Sequence, residues 1–471
     1  MSLENVIKVT VSALALVASL WLAVTSSIAG QVLGVTLLAL VLWSLYPKRH
    51  FLSSIIIIIL LAFFEASLNL QEFLNTLLSA YGRGGIWIII SGFILAGAMK
   101  ASGLARRLAF SIVSSLNGRP DVIVLSVALA SLAIAPLSPS TTAKALLLLP
   151  VCNALAEAFG GEKGGSRYGA GLMLMAMAAN NICSTGFLTA TVPNPISAIY
   201  IRDATDMNLS WFDWLKMNLP LSLILLFVSW VVCRRIFAPE VKGNQEALNK
   251  IRHLRNTLGP VSHKEQLVAI VFLAALLLWI TERFNPFNAG LLSVLLSLVL
   301  FLPGVGVLGI RGFTREVPWG SIGLFAASMF LARAVSHWKA LDSVTRVIFN
   351  ILRLERLSHP AFLFLAILVF MLLHVAFTST TVYATVMIPL AMNLAKLHGL
   401  PPQLFAVPVA FLTPIAIILP VNTIPNIVFY SSGWFNQRQM VLYGMFTSLL
   451  SVLLILGIGI PYWSFMRLLG S

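Results

Sequence analysis

The chain has 471 residues, 59% hydrophobic and only 10% charged, where a soluble chain carries about 25% charged residues; so few charges cannot cover a water-facing surface, and the solvent of this chain is lipid. The formal net charge of +15 reflects Lys and Arg gathered in cytoplasmic loops, and no basic stretch is interleaved with exposed aromatics, which excludes nucleic acid as a partner. Cys152, Cys183 and Cys233 are scattered without a CxxC, so neither a disulfide framework nor a metal site is indicated.

In chain order, the N-terminus lacks a basic n-region and a cleavage site, and residues 1–27 read as a retained leading span. Apolar segments lie at 6–26, 28–46, 51–70, 86–100, 214–236, 265–281, 288–303, 319–333 and 440–460. Each is about as long as a bilayer core is thick. Four further apolar stretches, 121–158, 168–201, 359–397 and 402–432, are interrupted by dense Pro, Gly, Ser, Thr and Asn. Broken helix survives in lipid only inside protein or beside a cavity, so these four are the candidates for a site. Two shorter stretches, Leu104–Asn117 and Val335–Leu354, are amphipathic and predict interfacial helices. Gly304-Val-Gly306-Val-Leu-Gly309 spells GxGxxG without the strand and acidic residue that give it meaning, and reads as a loop.

Orientation follows from the basic loops. Lys48 and Arg49 follow the second span. Arg234, Arg235, Lys242, Lys250, Arg252, Arg255 and Lys264 fill the polar linker, residues 237–263 and their flanks. Arg311 and Arg315 precede the span at 319. Placing these inside predicts a cytoplasmic N-terminus and puts Asp203, Asp206 and Asp213 outside; Arg346, Arg353 and Arg356 then fall outside against the trend.

The chain repeats itself. Ser140-Thr-Thr-Ala-Lys-Ala-Leu-Leu-Leu-Leu-Pro150 aligns with Ser379-Thr-Thr-Val-Tyr-Ala-Thr-Val-Met-Ile-Pro389, and Thr191-Val-Pro-Asn194 with Thr423-Ile-Pro-Asn426, in the same order at nearly the same separation. Ser91-Gly-Phe-Ile-Leu-Ala96 loosely echoes Ser328-Met-Phe-Leu-Ala332. Helix packing alone would not repeat two different motifs in order. About five crossings per repeat after the leading span would invert one copy relative to the other, the signature of secondary transporters with a midplane site. The halves are 28–236, with a hairpin at 121–158 and a broken helix at 168–201, and 264–471, with a hairpin at 359–397 and a broken helix at 402–432. The fold class is an all-α polytopic membrane protein of about 11 transmembrane helices plus two re-entrant hairpins.

Ser140, Thr141 and Thr142, and equally Ser379, Thr380 and Thr381, begin helices whose free N–H groups and hydroxyls suit a carboxylate, a sulfate or a sodium ion. Thr191 and Thr423 mark the second break of each repeat, where Pro frees a carbonyl. Lys144 directly follows the first triplet and offers positive charge to an anion; His374 precedes the second. Aspartates stand at 121, 203, 206, 213 and 342, all outside the motif clusters, and Glu65 is the one carboxylate within a span. A cation antiporter would want an acid beside the breaks. A membrane enzyme would want a His/Asp/Glu or Ser/Lys constellation, and neither HExxH nor paired carboxylates occur.

At these residues the chain resembles the divalent anion/sodium symporter family, from about residue 85 to the end. Pro136-Leu-Ser-Pro-Ser-Thr-Thr-Ala-Lys144, Leu172-Met-Leu-Met175 and Phe187-Leu-Thr-Ala190 with Asn194-Pro195 are similar to its citrate/succinate and 2-oxoglutarate/malate antiporter branch. Thr423-Ile-Pro-Asn-Ile-Val-Phe-Tyr-Ser-Ser-Gly433 resembles the second-repeat signature of the dicarboxylate branch, and Pro461-Tyr-Trp463 fits as well. The resemblance implies a homodimer in the plasma membrane, with scaffold and transport domains, elevator movement and small di- or tricarboxylate substrates, sulfate in some members. It carries substrate binding onto Ser140, Thr141, Thr142, Lys144, Thr191, Ser379, Thr380, Thr381 and Thr423. Ion binding, with sodium as the metal, falls to Ser184, Thr185, Gly186, Asn194, Asn422 and Asn426. One departure stands out: the central Asn of the family's triplet is Thr141 in one copy and Thr380 in the other. A hydroxyl replaces a carbonyl oxygen and an amide donor, which weakens sodium coordination and favours proton coupling or anion exchange.

Overall fold

The computed structural model describes the chain apart from residues 1–10, 20, 23–26, 47–48, 67–70, 72–73, 75–83, 116–118, 206, 208, 241–248, 250–251, 254, 285–287, 305, 310–318 and 470–471. Lys48, Asp206, Lys242, Lys250, Arg311 and Arg315, used above for orientation, lie outside the described residues, as do most of the leading span and the side chains of Glu65 and Asp203.

Every regular element among the described residues is helical. Among the described residues six helices are long and apolar enough to cross a membrane: Ile28–Leu45, Pro120–Leu137, Trp211–Ile236, His263–Ile280, His359–Ala376 and Gln437–Phe465. A seventh candidate is a pair, Ile86–Ser102 and Leu104–Ser115, bent by 70° at Gly103, whose φ of +85° suits glycine. The second member is an amphipathic helix where one was expected. The one expected at Val335–Leu354 differs. The preceding helix continues to His337, the chain turns with Lys339 at φ 52°, and an amphipathic helix starts at Asp342. A left-handed residue ends a helix whatever the hydrophobic pattern around it.

Large apolar side chains remain on the outside, among them Ile59, Phe63, Phe227, Ile270, Leu277 and Leu453. On a soluble protein they would be a liability; against acyl chains they are the expected surface. Between helices, small hydroxyls take over from bulk. Ser293 donates to Ser91 Oγ at 2.9 Å and accepts from Trp279 Nε1 at 3.1 Å, and Ser229 meets Tyr443 at 2.7 Å. Such bonds hold helices together where lipid supplies no hydrophobic drive.

The two motif-bearing halves fold alike. We label their helices α1 (Pro120–Ile134), α2 (Thr141–Ala158), α3 (Arg167–Thr185), α4 (Pro193–Thr205) and α5 (Trp211–Ile236). The second copy comprises α6 (His359–Leu373), α7 (Thr380–Leu397), α8 (Gln403–Leu412), α9 (Ile424–Tyr430) and α10 (Gln437–Leu454). In each copy a helix ends in one 3-10 turn, Ala135–Leu137 or His374–Ala376, and an extended link leads to the hydroxyl triplet. In each the next helix breaks through a second 3-10 turn, Leu188–Ala190 or Pro420–Asn422, and an extended threonine. The last helix of each starts in a capping box, Ser210 with Asp213 and Asn436 with Gln439. The halves are interleaved: α9 packs on α2, and α4 packs on α7, where Tyr200 donates to the Thr385 carbonyl at 2.8 Å. Gly444 lets α10 lie against the second break; a Cβ there would stand 2.5 Å from the Ile417 carbonyl oxygen.

The linker is tied at both ends. Glu240 accepts from Ser166 Oγ and from the Tyr168 N–H at the start of α3. Arg107 pairs with Glu265 at 2.7 Å and donates to the carbonyls of Leu258, Gly259 and Pro260.

Candidate transport site

The triplets sit where their sequence promised, at helix starts. Ser140 is extended and its Oγ accepts from the Ala143 N–H at 3.1 Å. Ser379 does the same with Val382 at 3.5 Å. With one N–H capped, the N-terminal amides of Thr141 and Thr142, and of Thr380 and Thr381, have no intrahelical acceptor. Ser140, Thr141, Thr142, Ser379 and Thr380 are half-buried and Thr381 is buried. Each triplet therefore presents hydroxyls and amide N–H groups from a protected position, an arrangement suited to an anion.

The breaks are organised by their asparagines. Asn194 Nδ2 donates to the carbonyls of Ser184 and Phe187 at 2.7 and 2.8 Å. Asn426 Nδ2 donates to those of Ala416 and Leu419 at 2.7 and 3.0 Å. The acceptors stand ten and seven residues upstream in both copies. Pro193 and Pro425 begin the half-helices that follow, and Thr423 caps its half-helix by accepting from the Asn426 N–H. Thr191 is extended and buried at the matching place. Thr185 meets Ser222 on α5 in a hydroxyl–hydroxyl bond, and its carbonyl accepts from Trp214 Nε1. Gly186 ends α3 with its backbone against Leu219 and Ser222.

Two buried asparagines tie the site together, one of them across the copies, and neither figured in the expected site. Asn181 Nδ2 donates to Asn426 Oδ1 at 3.1 Å, linking first break to second. Asn180 Nδ2 donates to the Thr141 carbonyl at 3.0 Å, linking first break to first triplet. The signal was present: a polar pair inside α3, where every residue from Tyr168 to Thr185 is buried, is costly in lipid unless it has work to do.

The copies diverge at the residue three places after the helix start. Lys144 is 3% exposed; its Nζ donates to Ser184 Oγ at 2.8 Å and to the Ala190 carbonyl at 2.7 Å. Its counterpart Tyr383 stacks on His374 at 3.7 Å and donates to the Phe370 carbonyl. His374 Nε2 lies 3.1 Å from the Thr413 carbonyl oxygen. Asn422, in turn, has Ala190 as its counterpart. Its Nδ2 donates to the carbonyls of His374 and Phe377 at 2.8 and 3.1 Å, and its Oδ1 accepts from the Leu419 N–H.

Beside the first triplet lies a cavity of about 730 Å³ whose lining includes Lys100, Arg106, Ser138 and Lys144 among apolar residues such as Met99 and Leu147. Its lining has three cations and no acid.

Internally repeated broken helices with hydroxyl-lined tips, set in a lipid-facing helical body, define a multi-pass membrane transporter. The family model described as the sodium:sulfate symporter transmembrane region matches residues 5–469, and the chain belongs to that family. Among curated relatives, the sodium-dependent dicarboxylate transporter SdcS of Staphylococcus saprophyticus is 28% identical over 397 residues, 80% of this chain and 76% of that protein. Its counterpart in Staphylococcus aureus is 25% identical over 410 residues, 80% and 76% of the two chains. A membrane protein of Cupriavidus necator is 25% identical over 458 residues, 93% and 88% of the two. Among solved structures, the YdaH transporter of Alcanivorax borkumensis matches with a TM-score of 0.56 at 15% identity, covering 85% of this chain and 90% of that one. Neisseria gonorrhoeae MtrF matches with 0.59 at 12% identity, covering 97% and 95%. These two share the fold. The family and the staphylococcal relatives are transporters rather than enzymes.

Proposed function

We propose that the chain is a secondary active transporter of small di- and tricarboxylates. The supporting observation is the pair of hydroxyl triplets at half-buried helix starts, each beside a break, with no carboxylate among the described residues around them. Helix N-termini attract anions. Ser140, Thr141 and Thr142 with Ser379, Thr380 and Thr381 hold the substrate's carboxylates, and Thr191 and Thr423 close the site from the breaks. The names of the staphylococcal relatives agree with that substrate class.

The protein works in the plasma membrane, N-terminus inside, as a homodimer. Each protomer has a scaffold and a transport domain, with hairpins 121–158 and 359–397 carried by the moving part. The family description names sulfate, so sulfate is the competing substrate. The deciding experiment is counterflow of labelled succinate, malate, citrate and sulfate in proteoliposomes, with and without sodium. Succinate or malate should be exchanged, and counterflow of sulfate alone would replace the carboxylate reading. Thr142→Ala and Thr381→Ala each remove a hydroxyl aimed at a charged group, and uptake should drop about tenfold to hundredfold in well-folded protein. Wild-type uptake in both variants would remove the triplets from the site.

A further inference from the structure

We propose that the groove between α6 and α10 is a binding site for one anionic phospholipid of the cytoplasmic leaflet, its phosphate at Arg438 and an acyl chain lying against the second hairpin. The groove lies apart from the triplets, and the proposal does not depend on which anion the protein carries.

The groove encloses a cavity of about 830 Å³, within the range of about 300–1,000 Å³ usual for ligand sites. Three elements wall it: Met371 and Leu372 at the end of α6, Ile418 just ahead of the second break, and Leu442, Met445 and Phe446 on α10. Gln437 and Arg438 stand at its mouth and Val452 at its deep end. From mouth to deep end the lining follows α10 from residue 438 to residue 452, roughly 21 Å at about 1.5 Å per residue. One leaflet contributes about 15 Å of hydrocarbon, so the groove is long enough for a single acyl chain. Protein does not close its inner wall. Ser448 is 4% exposed, and its hydroxyl has no hydrogen-bond partner among the described residues.

The mouth suits a phosphate. Asn436 caps α10 by accepting from the Gln439 N–H, and the Met440 N–H bonds to the Asn436 carbonyl. The amides of Gln437 and Arg438 have no intrahelical acceptor, and the positive end of the helix lies behind them. Arg438 is exposed and forms no ion pair among the described residues, and no acid lines the groove. The leaflet follows from the packing of α10 antiparallel to α5: Ser229 meets Tyr443, and the Met217 carbonyl accepts from Trp463 Nε1. Arg438 therefore shares a face with Arg234 and Arg235 at the end of α5, the face that the basic residues assign to the cytoplasm. Anionic lipids belong to that leaflet. Cations on this face attract a net-negative headgroup and repel the ammonium of a zwitterionic one.

A lipid of the ordinary shell touches one convex helix. In this groove a chain is held by α10, by the arm of the second hairpin and by the segment before its break. Met371 lies three residues ahead of His374, where the hairpin turns towards the second triplet. An acyl chain beside Met371 supports that turn from the lipid side. Bound lipid thus stabilises the folded chain and speeds transport.

The test uses purified, delipidated full-length protein. Dioleoylphosphatidylglycerol should raise the midpoint of thermal unfolding saturably by at least about 3 °C, and dioleoylphosphatidylcholine by less than about 1 °C. Equal responses to the two lipids overturn the proposal. Glycerol 3-phosphate, a head without chains, should have no effect; a rise equal to that with phosphatidylglycerol would mean a free-anion site and no lipid site. Arg438→Gln should erase the preference for the anionic lipid. Met445→Trp, which fills the groove, should erase the rise itself, and an undiminished rise in this variant would place the lipid elsewhere. Both positions are exposed, so neither change disturbs a packed core. A second readout is anion counterflow in phosphatidylcholine vesicles with or without about one quarter phosphatidylglycerol. Wild type should run at least about threefold faster with the anionic lipid and Met445→Trp should not respond; equal stimulation of both overturns the link to the hairpin. If wild type exchanges no anion, the carboxylate reading fails, and the thermal measurement still decides the lipid site.

Discussion

The first copy of the repeat carries a buried cation at its break and the second does not, although the two breaks are built from the same succession of elements. Both copies use a serine cap, a proline-led half-helix and an asparagine that donates ten and seven residues upstream. Those features answer a demand of geometry: a helix broken inside lipid must have its loose carbonyls paired. Lys144 against the Tyr383–His374 stack answers a different demand, that of charge, and there the copies part. A repeat can keep its architecture in both halves while placing its electrostatics in one.

The asparagine latches give the largest expected loss that separates the copies. Asn426→Ala orphans the Ala416 carbonyl, leaves Leu419 with only the Asn422 N–H, and unpairs Asn181. Asn194→Ala orphans the Ser184 carbonyl and leaves Phe187 with only the Ala190 N–H, with no partner lost in the other copy. At about 1–3 kcal/mol for each buried group left without a partner, both variants should unfold at lower temperature in detergent, Asn426→Ala by the wider margin. Equal losses would mean that the Asn181 bond adds nothing and that the breaks are energetically independent.

The hydroxyl triplets, their helix starts and the second threonines were legible because each is a local statement: Ser140 and Ser379 find their partners three residues away. The amphipathic helix after Gly103 was legible for the same reason. The ion-site assignment of Asn194, Asn422 and Asn426 read the residue type correctly as polar and buried. It could not see that their amides turn back onto backbone across a break, because spacings of seven and ten through a turn belong to neither helix nor strand periodicity. Lys144 was visible as a charge in an apolar run, but its acceptors lie 40 and 46 residues on. Asn180 and Asn181 were hidden between Ala178-Ala179 and Ile182-Cys183, inside an otherwise apolar run.

A smaller effect is expected at the cavity mouth. Arg106 is exposed and reaches over Phe110, and with Lys100 it makes the lining basic. Arg106→Glu should raise the KM for a dianion several-fold at low salt, more for a tricarboxylate, with the maximal rate little changed and the difference fading by about 0.5 M salt. The equivalent charge reversal at Arg346, on the corresponding amphipathic helix after the second copy's leading helix, should leave KM unchanged if only the first side admits the anion through a basic cavity. Parallel KM shifts would restore the symmetry that the cavity denies.

The smallest effect concerns the linker. Burial pushes the Glu240 carboxyl up, but the Ser166 hydroxyl and the backbone N–H groups at the start of α3 outweigh it and hold the carboxyl below its usual value of 4.5. A depressed carboxyl contributes stability at neutral pH, and that contribution is lost as pH falls through the lowered value. Glu240→Gln should therefore lower the midpoint of thermal unfolding slightly at pH 7 and by less as the pH falls, the effect being small throughout because the group is exposed to water and its bonds to the helix start are worth little there. Arg107→Gln is the contrasting variant at the other end of the linker. It breaks a pair whose Glu265 side chain is only 5% exposed and strips three carbonyls of their donor, so its loss at pH 7 should exceed that of Glu240→Gln. The reverse order would show that the linker is held chiefly to α3, the helix carrying the first break, rather than to the bent pair at Gly103.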